Sequence, residues 1–244
     1  MTPTTPTTPT TPTTPTTPDL RIGLLVFPNV TQLDLTGPLQ VFAGVPGASV
    51  HVVGKTLEPV LTDAVISLTP TVAFADCPQL DVLCVPGGHG VDLVLDDAET
   101  LDFVRAQAGG ARYVTSVCTG ALLLGAAGLL QGYRATTHWS ALELLGEFGA
   151  TPERTRVCRD RDRITGGGVT AGIDFALTVV AELCGREVAE RIQLHLEYDP
   201  HPPFSAGSPS SAPAAVLEAF RAAGAAHQAD REERVRRAAA RMRA

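Results

Sequence analysis

The stretch RYVTSVCTGALLLGAAGLL, residues 112–130, decides how this chain is read. Its opening, Arg112–Val117, is apolar and rich in β-branched residues, as a buried strand is. Its close, Gly120–Leu130, is small and apolar, as a helix buried between layers is. Only Cys118 and Thr119 separate the two, so the chain must pass from strand to helix in a tight turn. Such a turn holds a side chain clear of the sheet and points it into the crevice beyond the strand. The following helix puts its partly positive amino end near the sulfur. That end is expected to lower the thiol pKa and favour thiolate. Gly120 leaves room for the turn. The plainer alternative is that Cys118 is a small buried residue.

Outward from this stretch the same alternation recurs. Arg21–Phe27 (RIGLLVF) reads as a buried strand stopped by Pro28, Ser49–Gly54 as a second and Asp81–Val85 as a third, stopped by Pro86-Gly87-Gly88. Thr36–Ala43 reads as a helix start with Pro38 in its first turn. Asp97–Gln107, Ala141–Phe148 and Ile173–Leu183 read as further helices, and Gln193–Leu196 as the continuation of a last core helix. Short apolar strands alternating with helices predict an α/β fold with a parallel sheet covered on both faces. Active sites in such sheets lie at the carboxyl ends of the strands.

Three candidates stand at those ends. Cys118 is the first. Asp34, in QLDLTGP after the first strand, is the second: an acid between two leucines is poorly solvated, burial raises its pKa, and it could then serve as general acid. Its alternative is a helix cap. Pro86-Gly87-Gly88-His89-Gly90 is the third, where exposed backbone N–H groups suit an oxyanion hole; a plain strand-to-helix turn is the alternative. The other cysteines read as structural: Cys84 in an apolar strand, Cys184 on an apolar helix, Cys77 in a loop and Cys158 on an edge strand among Arg and Asp. His138 in ATTHW reads as a hydrogen-bonded structural residue. The histidines and acids show no metal-ligand spacing. The glycines Gly166–Gly168 lie too late in the chain for a dinucleotide loop, which argues against NAD.

Composition bounds the rest. With 244 residues, 44% of them hydrophobic, the chain can build one ordinary core. A net charge of −7 argues against a nucleic-acid-binding protein. Five cysteines without a CxxC pair suggest free thiols and a cytoplasmic setting. No stretch has the length of a membrane span and the amino end has no signal-peptide pattern, so no membrane partner is expected. Residues 2–18 are only Thr and Pro, and read as a dispensable polyproline-II-like arm without which the core should fold. A Pro/Ser loop at 199–213 precedes an Ala/Arg-rich helix, Ala214–Ala244, with seven Arg against four acids. Its stripe of Arg234, Arg237 and Arg241 reads as a solvated face, or as a surface for an acidic partner subunit or an anion. The expected organisation is an arm over 1–19, a catalytic domain over 20–212 and a terminal helix over 213–244.

The three motifs in this order resemble the DJ-1/PfpI superfamily. QLDLTGP around Asp34, VPGG at Val85–Gly88, the cysteine elbow, RATTHW at Arg134–Trp139, TGGGVTAGIDFAL at Thr165–Leu177 and LEYDPHPPFSAGSP at Leu196–Pro209 are together similar to its isonitrile-hydrating branch. The resemblance covers about residues 20–240. It implies a flavodoxin-like, class I glutamine amidotransferase-like three-layer α/β/α sandwich with a mostly parallel sheet. It further implies a cofactor-independent, metal-free lyase in which Cys118 attacks an isonitrile and Asp34 moves the proton. Backbone N–H groups of Gly87, Gly88 and Thr119 would stabilise negative charge, and the Thr119 hydroxyl would bond the sulfur or Asp34. The implied partners are a small isonitrile and a second copy of the chain, with Gly166–Leu177 as a close-packing surface. Protease-like and glyoxalase-like members commonly carry histidine after the cysteine; Thr119 stands there here, which argues against those activities. A ligand-sensing half of an AraC-type regulator shares the CTG and ATTHW motifs, but only about thirty residues follow Pro213, so DNA binding is not expected.

Overall fold

The computed structural model describes residues 20–243. The Thr-Pro arm, and the reading made of it, lie outside them. In chain order the elements are β1 (Arg21–Leu25), α1 (Gln32–Phe42), β2 (Ser49–Gly54), the short strands β3 (Val60–Leu61), β4 (Ser67–Leu68) and β5 (Val72–Ala73), then β6 (Val82–Val85), α2 (Val91–Val94), α3 (Ala98–Ala108), β7 (Tyr113–Val117) and α4 (Gly120–Ala126). There follow β8 (Arg134–Ala135), a 3₁₀ helix (Trp139–Phe148), β9 (Thr151–Pro152), β10 (Val157–Asp160), β11 (Arg163–Gly166), α5 (Ala171–Cys184), α6 (Arg186–His195) and α7 (Ala214–Arg243).

Seven strands form the central sheet in the order β10-β11-β7-β6-β1-β2-β5. Every neighbouring pair is parallel except β10–β11. The apolar runs occupy its centre: β6 and β11 are buried throughout, as are β1 from Ile22 and β7 from Val114. Strands covered on both faces have this uniform burial. α1, α5 and α6 pack together on one face, and α2, α3, α4, the 3₁₀ helix and α7 pack on the other. The result is the expected three-layer sandwich.

Several boundaries differ from the sequence reading. α1 begins at Gln32, ahead of the expected Thr36, because its first turn is capped from far away: Asp63, between β3 and β4, accepts from the Thr31 hydroxyl at 2.7 Å and the Gln32 amide at 3.2 Å. Local pattern cannot show such a cap. α4 stops at Ala126, where Gly128 turns into the left-handed region. The helix expected at Ala141–Phe148 is 3₁₀ and starts at Trp139. The β10–β11 hairpin was not anticipated beyond Cys158 on an edge strand, since its sequence is dominated by charge. The small residues near Gly172 pack within the chain: a Cβ there would lie 3.1 Å from Pro38 and 3.4 Å from Val117.

The basic stripe also has its partner within the chain. Arg237 and Arg241 pair with Asp96, and Arg234 donates to the Asp92 carbonyl. Arg237 and Arg241 stay about half exposed, so the stripe is a solvated face that also pairs with the acids just after α2's start and end.

Candidate active site

The carboxyl ends of β1, β6, β7 and β11 converge on one place. β7 ends at Val117, and Cys118 follows in the left-handed region at φ 54°. A non-glycine residue held there costs roughly 1–3 kcal/mol, so its surroundings must enforce it. They do so through hydrogen bonds. The Cys118 amide donates to the carbonyls of Gly167 at 2.8 Å and Gly166 at 3.1 Å, at the end of β11. Its carbonyl accepts from the Thr137 hydroxyl at 2.6 Å. Gly120 then lets the chain press against β6: a Cβ at that position would sit 2.1 Å from the Val85 carbonyl oxygen.

Asp34 stands on the first turn of α1 and is fully buried. It caps nothing. Its Oδ2 accepts from the Gly87 amide at 3.0 Å. Its Oδ1 is buried with no hydrogen-bond partner of regular geometry, and the thiol of Cys118 is the side chain that interacts with this carboxyl. Burial raises the Asp34 pKa to about 7; the Cys118 thiol and the Gly87 amide pull it down, and the charge of Asp63 adds to the rise.

The thiol contradicts one expectation. Burial, followed by the negative charge of Asp34, pushes Cys118 well above the ordinary thiol range. The Thr119 backbone N–H and the positive charge of Arg231 work the other way. The amino end of a seven-residue helix does not outweigh the desolvation of a sulfur that is 5% exposed and beside a carboxyl. The pair therefore rests near neutral pH as a thiol against a titrating carboxyl.

The two glycine amides expected to stabilise charge are already engaged. Gly87 donates to Asp34, and Gly88 donates to the Thr119 hydroxyl oxygen at 3.0 Å. The Thr119 hydroxyl in turn donates to the Gly88 carbonyl at 3.3 Å, so it bonds neither the sulfur nor Asp34. The physical reason is that these two amides stitch the loop after β6 to α1 and to the elbow. The Thr119 amide, facing the sulfur, is the member of the expected set that keeps its place.

Cys118, Thr119 and Gly88 border a cavity of about 940 Å³. Trp139, Val169 and Phe220 give it apolar walls, with the Trp139 and Phe220 rings 5.3 Å apart. His138 is bonded as expected, its Nδ1 lying 2.8 Å from the Ser140 hydroxyl, and it also lines the cavity. Burial, then Arg231, lowers its pKa. Phe220, His227 and Arg231 come from α7 and were not foreseen, since nothing local marks which face of that helix turns inward. The other cysteines lie elsewhere; burial pushes Cys84 up to about 12.

The DJ-1/PfpI family model matches residues 20–182. An isonitrile hydratase from Pseudomonas putida is 56% identical over 223 residues, 91% of this chain and 98% of that one. A THiJ/PfpI family protein from Pseudomonas syringae, solved by crystallography, superposes with a TM-score of 0.87 at 46% identity, over 94% of this chain and 97% of that one. The HTH-type transcriptional regulator GbdR of Pseudomonas aeruginosa is 31% identical over 73% of this chain, which spans 50% of that regulator. The elbow cysteine, the buried acid, the sheet order and these similarities lead to one assignment: the chain belongs to the DJ-1/PfpI family.

Proposed function

We propose that this protein is an isonitrile hydratase, converting R–N≡C and water to the N-substituted formamide R–NH–CHO, with Cys118 as nucleophile and Asp34 as proton carrier. The observation that carries the proposal is the pairing of a buried elbow thiol, which borders a cavity, with a buried carboxyl behind it whose pKa is raised to about 7. The hydratase from Pseudomonas putida, at 56% identity, supports the choice of substrate.

In its ionised form Asp34 accepts the thiol proton as the sulfur bonds the isonitrile carbon. It then returns that proton to the same carbon, giving the thioimidate R–N=CH–S–Cys118. Water adds to that carbon, and Asp34 takes one of its protons and passes it to the nitrogen, giving R–NH–CH(OH)–S–Cys118. Collapse turns the hydroxyl into the formamide carbonyl and expels the sulfur, and the hydroxyl proton reaches that sulfur through Asp34, restoring thiol and carboxylate. The Thr119 amide holds the sulfur through the cycle. The Thr119 hydroxyl keeps the Gly88 loop in place. The same reading includes a cytoplasmic setting, supported by the five free cysteines, and a homodimer, which size-exclusion chromatography tests.

The test is formamide production, by mass spectrometry, from one aliphatic and one aryl isonitrile. Wild type should form product, and Cys118→Ala and Asp34→Asn should each lose it by about 10³-fold or more while staying folded. Product from the Cys118→Ala variant sinks the covalent route. No product from folded, reduced wild type sinks the substrate assignment.

A further inference from the structure

Among the described residues, three arginines line the cavity: Arg154, Arg221 and Arg231. Arg154 and Arg221 are exposed, whereas Arg231 is 6% exposed. It enters from α7 and is held in a defined orientation. Its Nε donates to Asp92 Oδ1 at 2.8 Å and its Nη2 to Asp92 Oδ2 at 3.1 Å. The same Nη2 lies 2.8 Å from His227 Nε2, which must accept, because a guanidinium only donates. His89 Nδ1 lies 3.1 Å and Asp92 Oδ2 3.3 Å from that same His227 nitrogen. Asp92 sits on α2, just past the Gly87-Gly88 loop.

A buried ion pair is weak support for stability, because desolvating two charges offsets most of their attraction. Its position explains more. The reaction proposed above places one negative charge on the Cys118–Asp34 pair, and the Gly87 and Gly88 amides are not free to stabilise it. The Thr119 amide and the buried guanidinium are two groups placed to do so. We propose that Arg231 is a positioning residue for the nucleophile: the terminal helix brings its charge into the cavity to stabilise the Cys118 thiolate, and Asp92 sets how much of that charge the sulfur feels. The inference rests on Cys118 being the nucleophile.

Other ionisable groups face the site. Asp63 faces Asp34 from the turn between β3 and β4, and His138 faces the cavity from the start of the 3₁₀ helix. Glu143 and Arg154 pair with each other at 3.7 Å, and Glu232 pairs with Arg236 at 3.1 Å. All are common to the proteins compared below.

The experiment follows the alkylation rate of Cys118 by iodoacetamide across pH, read on its own peptide by mass spectrometry. The full chain is used as wild type, Arg231→Gln, Asp92→Asn and the double variant. Arg231→Gln should move the midpoint up and slow alkylation at pH 7.5 by about tenfold, one pKa unit being a tenfold change in thiolate. Asp92→Asn should move it down and speed alkylation several-fold. The double variant should return towards wild type. Both single variants break the same ion pair and loosen the same helix, so a merely structural role moves both midpoints the same way. Shifts in one direction, or no shift, overturn the proposal. If Arg231→Gln does not fold, the Asp92→Asn shift decides alone: downward supports, absent or upward overturns. Alkylation uses no isonitrile, so wild type without formamide product but with opposed shifts would sink the hydratase and leave this role standing.

Discussion

Asp34 keeps its proton up to about pH 7 in the fold, against a value near 3.8 for an unperturbed carboxyl. Between those values the folded chain binds more protons than the unfolded one. The stability this group contributes is therefore complete below about pH 3.8 and is lost as pH rises to about 7. Above that, the fold carries a buried charge costing up to about 4 kcal/mol. Asp34→Asn removes the charge, so its thermal midpoint should exceed wild type by several degrees at pH 8 and hardly differ at pH 5. Calorimetry at both pH values checks this; an equal change at both contradicts the buried charge. In turnover the sign is opposite, because the ionised carboxyl must take the thiol proton. Isonitrile consumption should fall as pH drops below about 7, and a profile flat from pH 5 to 8 removes Asp34 as the base. Cys118 and Asp34 were both legible from residue type after a strand. The destination of the Gly87, Gly88 and Thr119 polar groups was not, because hydrogen bonds between residues 31 and 53 positions apart leave no local trace.

The elbow is the element that turns composition into chemistry. It depends on α4 starting in contact with β6, which Gly120 permits. Gly120→Ala should lower the thermal midpoint by about 10 °C or more, or yield insoluble protein, since its Cβ would meet backbone and not a flexible side chain. Gly146→Ala, on the 3₁₀ helix with nothing within 4 Å, is the control and should change stability by less than about 1 kcal/mol. Equal effects would show that the close approach is not what the glycine serves. The central strands could be read from the chain because burial on both faces demands continuous apolar runs. The start of α1 and the β10–β11 hairpin could not. The first is set by Asp63 on a distant turn, and the second is a charged edge whose pairing comes from its neighbour β11.

At the scale of the molecule, α7 closes the cavity and adds Val235, Ala238 and Ala239 to the core. At the other end the core begins at Leu20, which is 1% exposed and whose carbonyl accepts from the Ser49 amide at 2.8 Å. Deleting residues 1–18 should therefore move the thermal midpoint by no more than about 1 °C, whereas a cut beyond Leu20 should lower it by several degrees. A large fall from the shorter deletion would assign the Thr-Pro arm a structural role. The sequence by itself determined the alternation of strands and helices, the parallel sheet, and the places at strand ends where Cys118 and Asp34 stand. Those follow from local periodicity and from turns only a few residues long. The tertiary structure alone decided that the thiol is raised and not lowered, that the glycine amides are occupied, and that Arg231 reaches the cavity from the far end of the chain. Desolvation and charge act through space, between residues whose separation along the chain says nothing of their distance in the fold.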